Sequence, residues 1–491
     1  MHPLPQHQQV CWSATVQNSN PTAICAVAEE ERIRDEVAYR NLDAATPQPG
    51  LDHDGQRMSL YPILSDRGFV VRLQRFHEVL VKAIVNIVDR WWDDTGSDFP
   101  SRMPLEPESE AILKWIDAQS KKNSMPAFAD CLGIWRPDFL LTDNCNASQA
   151  SETGFQLCEI NCRTPFNAIV YAAYKHQIMG GLLRRPGSIL EPAGDADILV
   201  DGLLSHFDLH LPIHIVRGRD GLDRRDFALL VEQKTGSRPK MVSASELQLR
   251  PDPSSETGFA LHCSSRSPGS EAAMVLFADE YSSLSGDILR HLAKAAVNDF
   301  RTNLLVNDQR FLGIILQELE NLVRKHHVLT LDEADTLHAG IVPTILPGSL
   351  ELQKLLPILH DERGAIKSGF ICKAARSSRG NGHLLGSEIS KQEWESVLLR
   401  MQDASIRGDA TSYVLQPYVQ QPKFDIVVDK DRTVCGSQMV GSYFCRSGRF
   451  AGLAPWRTSS GKICNVYGAG CLIVESVTTS QSYTGVSLVP G

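Results

Sequence analysis

Two short apolar segments with charge buried among their neighbours constrain this chain more than anything else in it. The first reads Trp135, Arg136, Pro137, Asp138, Phe139, Leu140, Leu141. The second reads Gln156, Leu157, Cys158, Glu159, Ile160, Asn161, Cys162, Arg163, and runs on through Thr164, Pro165 and Phe166 to Asn167. A polar stretch separates them, so the pair is expected to form a β-hairpin. Side chains alternate along a strand, which puts Arg136 and Asp138 on one face and Glu159, Asn161 and Arg163 on one face of the next. In the right register Asp138, Glu159 and Asn161 converge. Three oxygen donors on a rigid sheet, with arginines beside them, suit Mg²⁺ and a phosphate chain. Charged residues on a strand face often simply meet water, so the motif needs partners elsewhere in the chain.

The chain has 491 residues, enough for two to four structural units, and 42% of them are hydrophobic, as in an ordinary globular protein. A net charge of −9 argues against a general nucleic-acid surface, where a basic patch supplies most of the affinity. The first ten residues are polar, with no basic start and apolar core of a signal peptide. No apolar run reaches the ~18 residues of a membrane span. The twelve cysteines are scattered without CxxC pairs, which fits free thiols in a reducing cytoplasm. The expectation is a cytoplasmic protein that binds neither membrane nor nucleic acid.

Residues 1–60 show little periodicity and predict an irregular start. Val70, Leu73, Phe76, Leu80, Ile84 and Ile87 recur at helical spacing and predict an amphipathic helix over 66–92, with His77 on its surface or packed. A second helix is expected over 109–117 and a buried one over 166–174. His206, His210 and His214 lie four apart, but Pro212 and the apolar run after it end a helix and begin a strand, which scatters the rings. Strands over 213–216, 239–242 and 272–277, with a helix over 226–232, predict a small α/β unit; the Ser- and Pro-rich residues 251–270 predict a loop. Helices follow over 310–324, from Thr330 with a Glu333 capping pattern, and over 349–360. The final third alternates as antiparallel strands.

Within that third, the run from Gly369 reads as a strand ending in Lys373. Ala375, Arg376, Ser377, Ser378, Arg379, Gly380, Asn381 and Gly382 then form a Gly/Ser/Arg loop before a returning strand at Leu384. Backbone N–H groups of such a loop can wrap phosphate oxygens while the cations offset their charge. The loop is neither a Walker A motif nor a Rossmann fingerprint.

The ordered set of Arg136-x-Asp138, Glu159-x-Asn161, the Lys373 strand with its glycine loop, Leu415-Gln416-x-Tyr418-Val419 and the later Trp456-Arg457 resembles the circularly permuted ATP-grasp superfamily. It is similar to the synthetase domains of glutathionylspermidine synthases and to bacterial and fungal ATP-grasp ligases, over most of residues 100–470. The resemblance implies an α+β protein with α/β-type subdomains: an ATP-grasp fold, circularly permuted, with a pre-ATP-grasp-like subdomain. The implied divisions are an irregular and helical region over 1–125, the metal-binding part of the core over 126–190, the pre-ATP-grasp-like part over 191–330 and the nucleotide-binding part over 331–491.

Carried over residue by residue, the resemblance implies Asp138, Glu159 and Asn161 as Mg²⁺ ligands, with Arg136 and Arg457 at the phosphoryl centre. Lys373 would contact the ATP phosphates. Arg376, Ser377, Arg379, Gly380 and Gly382 would form the lid, and Gln416, Tyr418 and Val419 the hinge beside the adenine. One departure stands out: relatives often carry a lysine where this chain has Gln309. The implied activity is an ATP-dependent ligase joining a small-molecule carboxylate to an amine through an acyl-phosphate, with ADP and phosphate released, in small-molecule or peptide natural-product metabolism. Gln309 motivates the alternative of a catalytically degenerate nucleotide-binding or partner protein. A zinc hydrolase built on the three histidines ranks last. Cys158 and Cys162 are expected on the face opposite Glu159 and Asn161, as packing residues.

Overall fold

The computed structural model describes residues 7–13, 21–45, 58–142, 154–166, 168–217, 223–255, 258–263, 271–275, 278–295, 297–359, 366–376, 382–406, 411–464 and 471–480. The chain begins with β1 (Gln8–Gln9), α1 (Glu29–Ala45), β2 (Met58–Leu64), α2 (Arg67–Asp89), α3 (Phe99–Arg102) and α4 (Pro107–Ser120). The hairpin strands β3 (Ile134–Thr142) and β4 (Gly154–Asn161) precede α5 (Ile169–Leu183), β5 (Leu190–Pro192) and α6 (Ala196–Leu204). Next come β6 (Ile213–Arg217), α7 (Asp223–Thr235), β7 (Lys240–Val242), β8 (Leu247–Pro251), β9 (Phe259–Cys263), β10 (Glu271–Val275) and α8 (Gly286–Ala295). Three helices, α9 (Arg310–Arg324), α10 (Leu331–Gly340) and α11 (Leu350–Leu359), lead to β11 (Phe370–Ala374), β12 (Leu384–Leu385), α12 (Lys391–Met401) and β13 (Tyr413–Pro417). The last strands are β14 (Phe424–Val427), β15 (Thr433–Arg446), β16 (Arg449–Leu453), β17 (Trp456–Ser459) and β18 (Leu472–Thr479).

Two sheets position the site. The larger runs β1-β2-β18-β17-β15-β3-β4, with β14 and β16 also on β15 and β5 on β18. Its pairings are antiparallel except for β18 on β2. The smaller sheet is β12-β11-β13, antiparallel throughout. The extended segment before α11 stitches them together: Ile341 bridges to Leu157 on β4, and Ile345 bridges to Leu415 on β13. A separate parallel sheet, β10-β6-β7, matches the predicted α/β unit.

Local chemistry explains the long helices. Asp66 caps α2 by accepting from the backbone of Gly68 at 2.7 Å and Phe69 at 3.3 Å. Of the predicted face of α2, Leu73, Phe76, Leu80, Ile84 and Ile87 are buried, while Val70 is half-buried and its neighbour Phe69 is buried instead. His77 packs under the same helix, hydrogen-bonded to the Tyr443 hydroxyl and to the Gly448 carbonyl, each at 3.2 Å. Thr330 and Glu333 form the reciprocal capping box of α10.

Three expectations change. Residues 1–60 are not simply irregular: α1 and the start of β2 lie there, and β2 is buried along its whole length. Part of the expected loop at 251–270 is a hairpin, with β8 paired to β9 from Leu247↔Cys263 to Pro251↔Phe259. The final strand β18, which lies beside β2 in the large sheet, had no counterpart in the sequence reading. The polar turn of the opening hairpin and Asn167 lie outside the described residues.

Candidate active site

The hairpin register brings the expected residues together. Asp138 pairs with Glu159 and Arg136 with Asn161 across β3 and β4. Asn161 Nδ2 donates to Asp138 Oδ2 at 3.0 Å and to Glu159 Oε1 at 2.9 Å. Arg136 grips the same carboxylate, Nε to Oδ1 at 3.0 Å and a terminal nitrogen to Oδ2 at 3.2 Å. From β17, Arg457 donates to Asp138 Oδ2 at 2.5 Å, and from β15 the Ser442 hydroxyl donates to Oδ1 at 2.7 Å. Burial alone would raise the Asp138 pKa, but Arg136 and then Arg457 outweigh it and hold the carboxyl well below its usual range.

Strict alternation fails at one position, and that failure builds part of the site. Asp138 opposes Glu159, but the next residue, Phe139, opposes Leu157, so Cys158 is the extra residue of a β-bulge. Its carbonyl accepts from Lys373 Nζ on β11 at 3.1 Å, and its thiol donates to the Asp138 carbonyl at 3.3 Å. Cys158 therefore lines the same cleft as Glu159 rather than the opposite face. It is still buried, and burial pushes its thiol up to about 12, so it does not act as a thiolate.

The cleft lies between the two sheets and opens to solvent, with about 720 Å³ of unfilled space counting its open mouth. Asp138, Glu159, Lys373, Gln416, Tyr418, Val419 and Arg457 all line it. Gln416 is 1% exposed, and its amide is committed to the Thr344 hydroxyl at 2.8 Å, so the side chain braces β13 against the extended segment before α11. The Tyr418 N–H donates to the Gly369 carbonyl at 2.8 Å, and its hydroxyl pairs with the Gln438 amide. Arg376 sits at the base of the glycine loop in an ion-pair network with Asp308, Glu106 and Arg310, and does not line the cleft. Asp308 takes Arg376 Nε at 2.8 Å and a terminal nitrogen of Arg310 at 2.7 Å. Gly382 is exposed beside the cleft-lining His383, while Ser377, Arg379 and Gly380 lie outside the described residues. Lys367 is held elsewhere, donating to the Gly386 and Ile389 carbonyls at 2.6 Å each.

Two wall residues escaped the sequence reading. His383 faces Lys373 across the cleft wall; burial and then that cation lower its pKa to about 3, so it is a neutral imidazole. Cys464 carries a thiol 3.5 Å from that of Cys471, near Arg457. Neither has a periodicity or motif that would mark it in the sequence. Among the described residues no group of three or more His, Cys, Asp or Glu gathers as a metal site, and His206, His210 and His214 do not converge. The set at the hairpin is two carboxylates and an amide.

That donor set suits a hard divalent cation in kind, since Asp138, Glu159 and Asn161 can all offer oxygen. Their availability differs. Asp138 is 1% exposed and wrapped by guanidiniums, whereas Glu159 is half-buried on the cleft wall and accepts only from neutral amides.

Comparison with known proteins places the chain in a family. The AnkG N-terminal domain family matches residues 76–305. The ATP-grasp enzyme ankG of Aspergillus thermomutatus is 34% identical over 483 residues, covering 93% of this chain and 97% of that protein. A glutathione synthetase-like effector, GSS30, from Globodera pallida, solved in its apo form, shares the fold at a TM-score of 0.52 and 10% identity, over 94% of this chain and 99% of its own. No helix among the described residues is long and apolar enough to cross a membrane. The chain is an α+β protein of the ATP-grasp fold, and it belongs to the family of ATP-grasp enzymes represented by ankG.

Proposed function

We propose that this ATP-grasp enzyme is an ADP-forming carboxylate–amine ligase. The observation that carries the reading is the cleft itself: Asp138, Glu159 and Arg457 on one wall and Lys373, Gln416, Tyr418 and Val419 on the other. Carboxylate and triphosphate are both anionic, so their approach needs cations fixed in advance. Arg136 and Arg457 are oriented by Asp138, and Lys373 is anchored on the Cys158 carbonyl; all three are held in place before any ligand arrives.

The substrate carboxylate oxygen attacks the γ-phosphorus, the bond to the β,γ-bridging oxygen breaks, and ADP leaves. The amine nitrogen then attacks the acyl carbon and phosphate leaves, giving an amide with the amine proton passed to solvent or phosphate. Mg²⁺ held by Glu159, Asn161 and Asp138 would neutralise phosphate charge. Arg136 and Arg457 stabilise the transferring phosphoryl group, and the glycine loop after Lys373 excludes water. The permuted order of the motifs, the subdomain over 191–330 as part of the substrate pocket, a cytoplasmic location and a natural-product substrate belong to the same proposal.

The test is nucleotide release. ADP formation that requires both a carboxylate and an amine is expected. AMP release, or no turnover with any acid–amine pair, would overturn it. Gln309, neutral where relatives often carry lysine, favours a second reading as a catalytically silent nucleotide-binding protein. Mg²⁺–ATP binding that ignores Asp138→Ala would exclude the metal site in either reading.

A further inference from the structure

Gln309 stands at the start of α9 and touches both halves of the cleft. Its backbone N–H donates to the Ala375 carbonyl at 2.9 Å, just beyond the Lys373 strand. Its side-chain Nε2 donates to Glu159 Oε2 at 3.0 Å. The other Glu159 oxygen accepts from Asn161 at 2.9 Å, so the carboxylate is held at both oxygens by neutral donors. The neighbouring Asp308 holds Arg376 and Arg310, which fixes this helix start against the base of the glycine loop.

The amide has one sensible orientation. Flipping it would set its oxygen against the Glu159 carboxylate, acceptor against acceptor. In the orientation adopted, Gln309 Oε1 is buried and has no partner. Leaving an amide oxygen unpaired is unfavourable, so the Glu159 contact decides the rotamer. A neutral donor orients the carboxylate without adding a positive charge that would repel a cation.

We propose that Gln309 is a positioning residue that holds Glu159 for divalent-cation binding, an inference that rests on the metal reading above. Its unpaired Oε1 is then an acceptor for a water of the cation's shell. Residues that orient a metal ligand typically contribute about ten- to a hundredfold to metal affinity.

The experiment measures Mn²⁺ affinity of the full chain with ADP by calorimetry, for wild type, Gln309→Ala and the near-isosteric Gln309→Met. ADP affinity in EDTA and the melting temperature are followed alongside. Both variants are expected to bind Mn²⁺ about tenfold or more weakly, with metal-free ADP affinity unchanged. Wild-type Mn²⁺ binding that either folded variant reproduces would overturn this inference alone. Wild type that binds ADP but no Mn²⁺ would overturn the metal reading and this inference with it.

Discussion

Asp138 carries more of the site than any other side chain, and its surroundings set what its loss does. It is 1% exposed, while its arginine partners Arg136 and Arg457 are 18% and 14% exposed at the side chain. Asp138→Ala therefore removes the buried carboxylate that both guanidiniums share. Removing one partner of a buried ion pair costs about 3–5 kcal/mol, and denaturant unfolding should show a loss of that order. Lys462 gives the contrast. It spans the cleft mouth to Glu388 at 3.3 Å, with side chains 45% and 56% exposed, and its loss should cost under about 1 kcal/mol. The convergence around Asp138 was legible in the sequence because period-two alternation puts Arg136 with Asp138 and Glu159 with Asn161. The bulge at Cys158 was not. Nothing in its side chain marks it as the residue that slips, and the slip depends on how β3 and β4 settle against their neighbours.

At the scale of elements, the strands that present Arg457 and Asp138 depend on one missing side chain. Gly441 on β15 pairs with Phe139 on β3. A Cβ there would meet Phe139 ring carbons at 2.2 and 2.3 Å and Trp456 at 2.6 Å. Gly441→Ala should destabilise the protein by about 1–3 kcal/mol through overpacking, and weaken nucleotide binding as β3 and β17 shift. Urea unfolding and ATP titration check the two effects separately. Another element contact titrates. His176 on α5 lies in ion-pair range of Glu475 on β18, Nδ1 to carboxylate oxygen at 2.7 Å, while its Nε2 donates to the Leu453 carbonyl at 2.9 Å. Burial opposes its charge, but Glu475 prevails and the His176 pKa is raised. A raised folded-state pKa stabilises fully below the unfolded value of about 6.5 and is lost as pH rises through the folded value. Stability should therefore fall as pH rises above the unfolded value of about 6.5, and His176→Gln should flatten that slope in melts taken across a pH series. The partner strands β2 and β18 were hard to find for a physical reason. All seven residues of β2 are buried, so it shows no polar–apolar alternation, and its β18 partner lies some four hundred residues away.

At the scale of the whole molecule, an apolar cluster that runs from Leu157 and Ile160 to Val414 is supplemented by a few backbone and side-chain links between the two sheets. The bridges at Ile341 and Ile345, the Lys373 contact with Cys158 and the Gln309 contact with Glu159 join them. A nucleotide gripped by both walls adds a further link that only the folded chain can make. At a ligand concentration of a hundred times Kd, such binding adds about 2.7 kcal/mol to apparent stability. Mg²⁺–ATP should then raise the melting temperature of the wild type. Lys373→Met separates the lysine's two roles. Without ligand, the variant leaves the Cys158 carbonyl without that donor, a loss of about 1 kcal/mol. With ligand, it also removes the side chain proposed to meet the phosphates, so the ATP-dependent rise should shrink or vanish. Differential scanning calorimetry with and without Mg²⁺–ATP reads both. A variant that keeps the full ATP-dependent rise would mean that the lysine only joins the sheets and that the phosphates bind elsewhere.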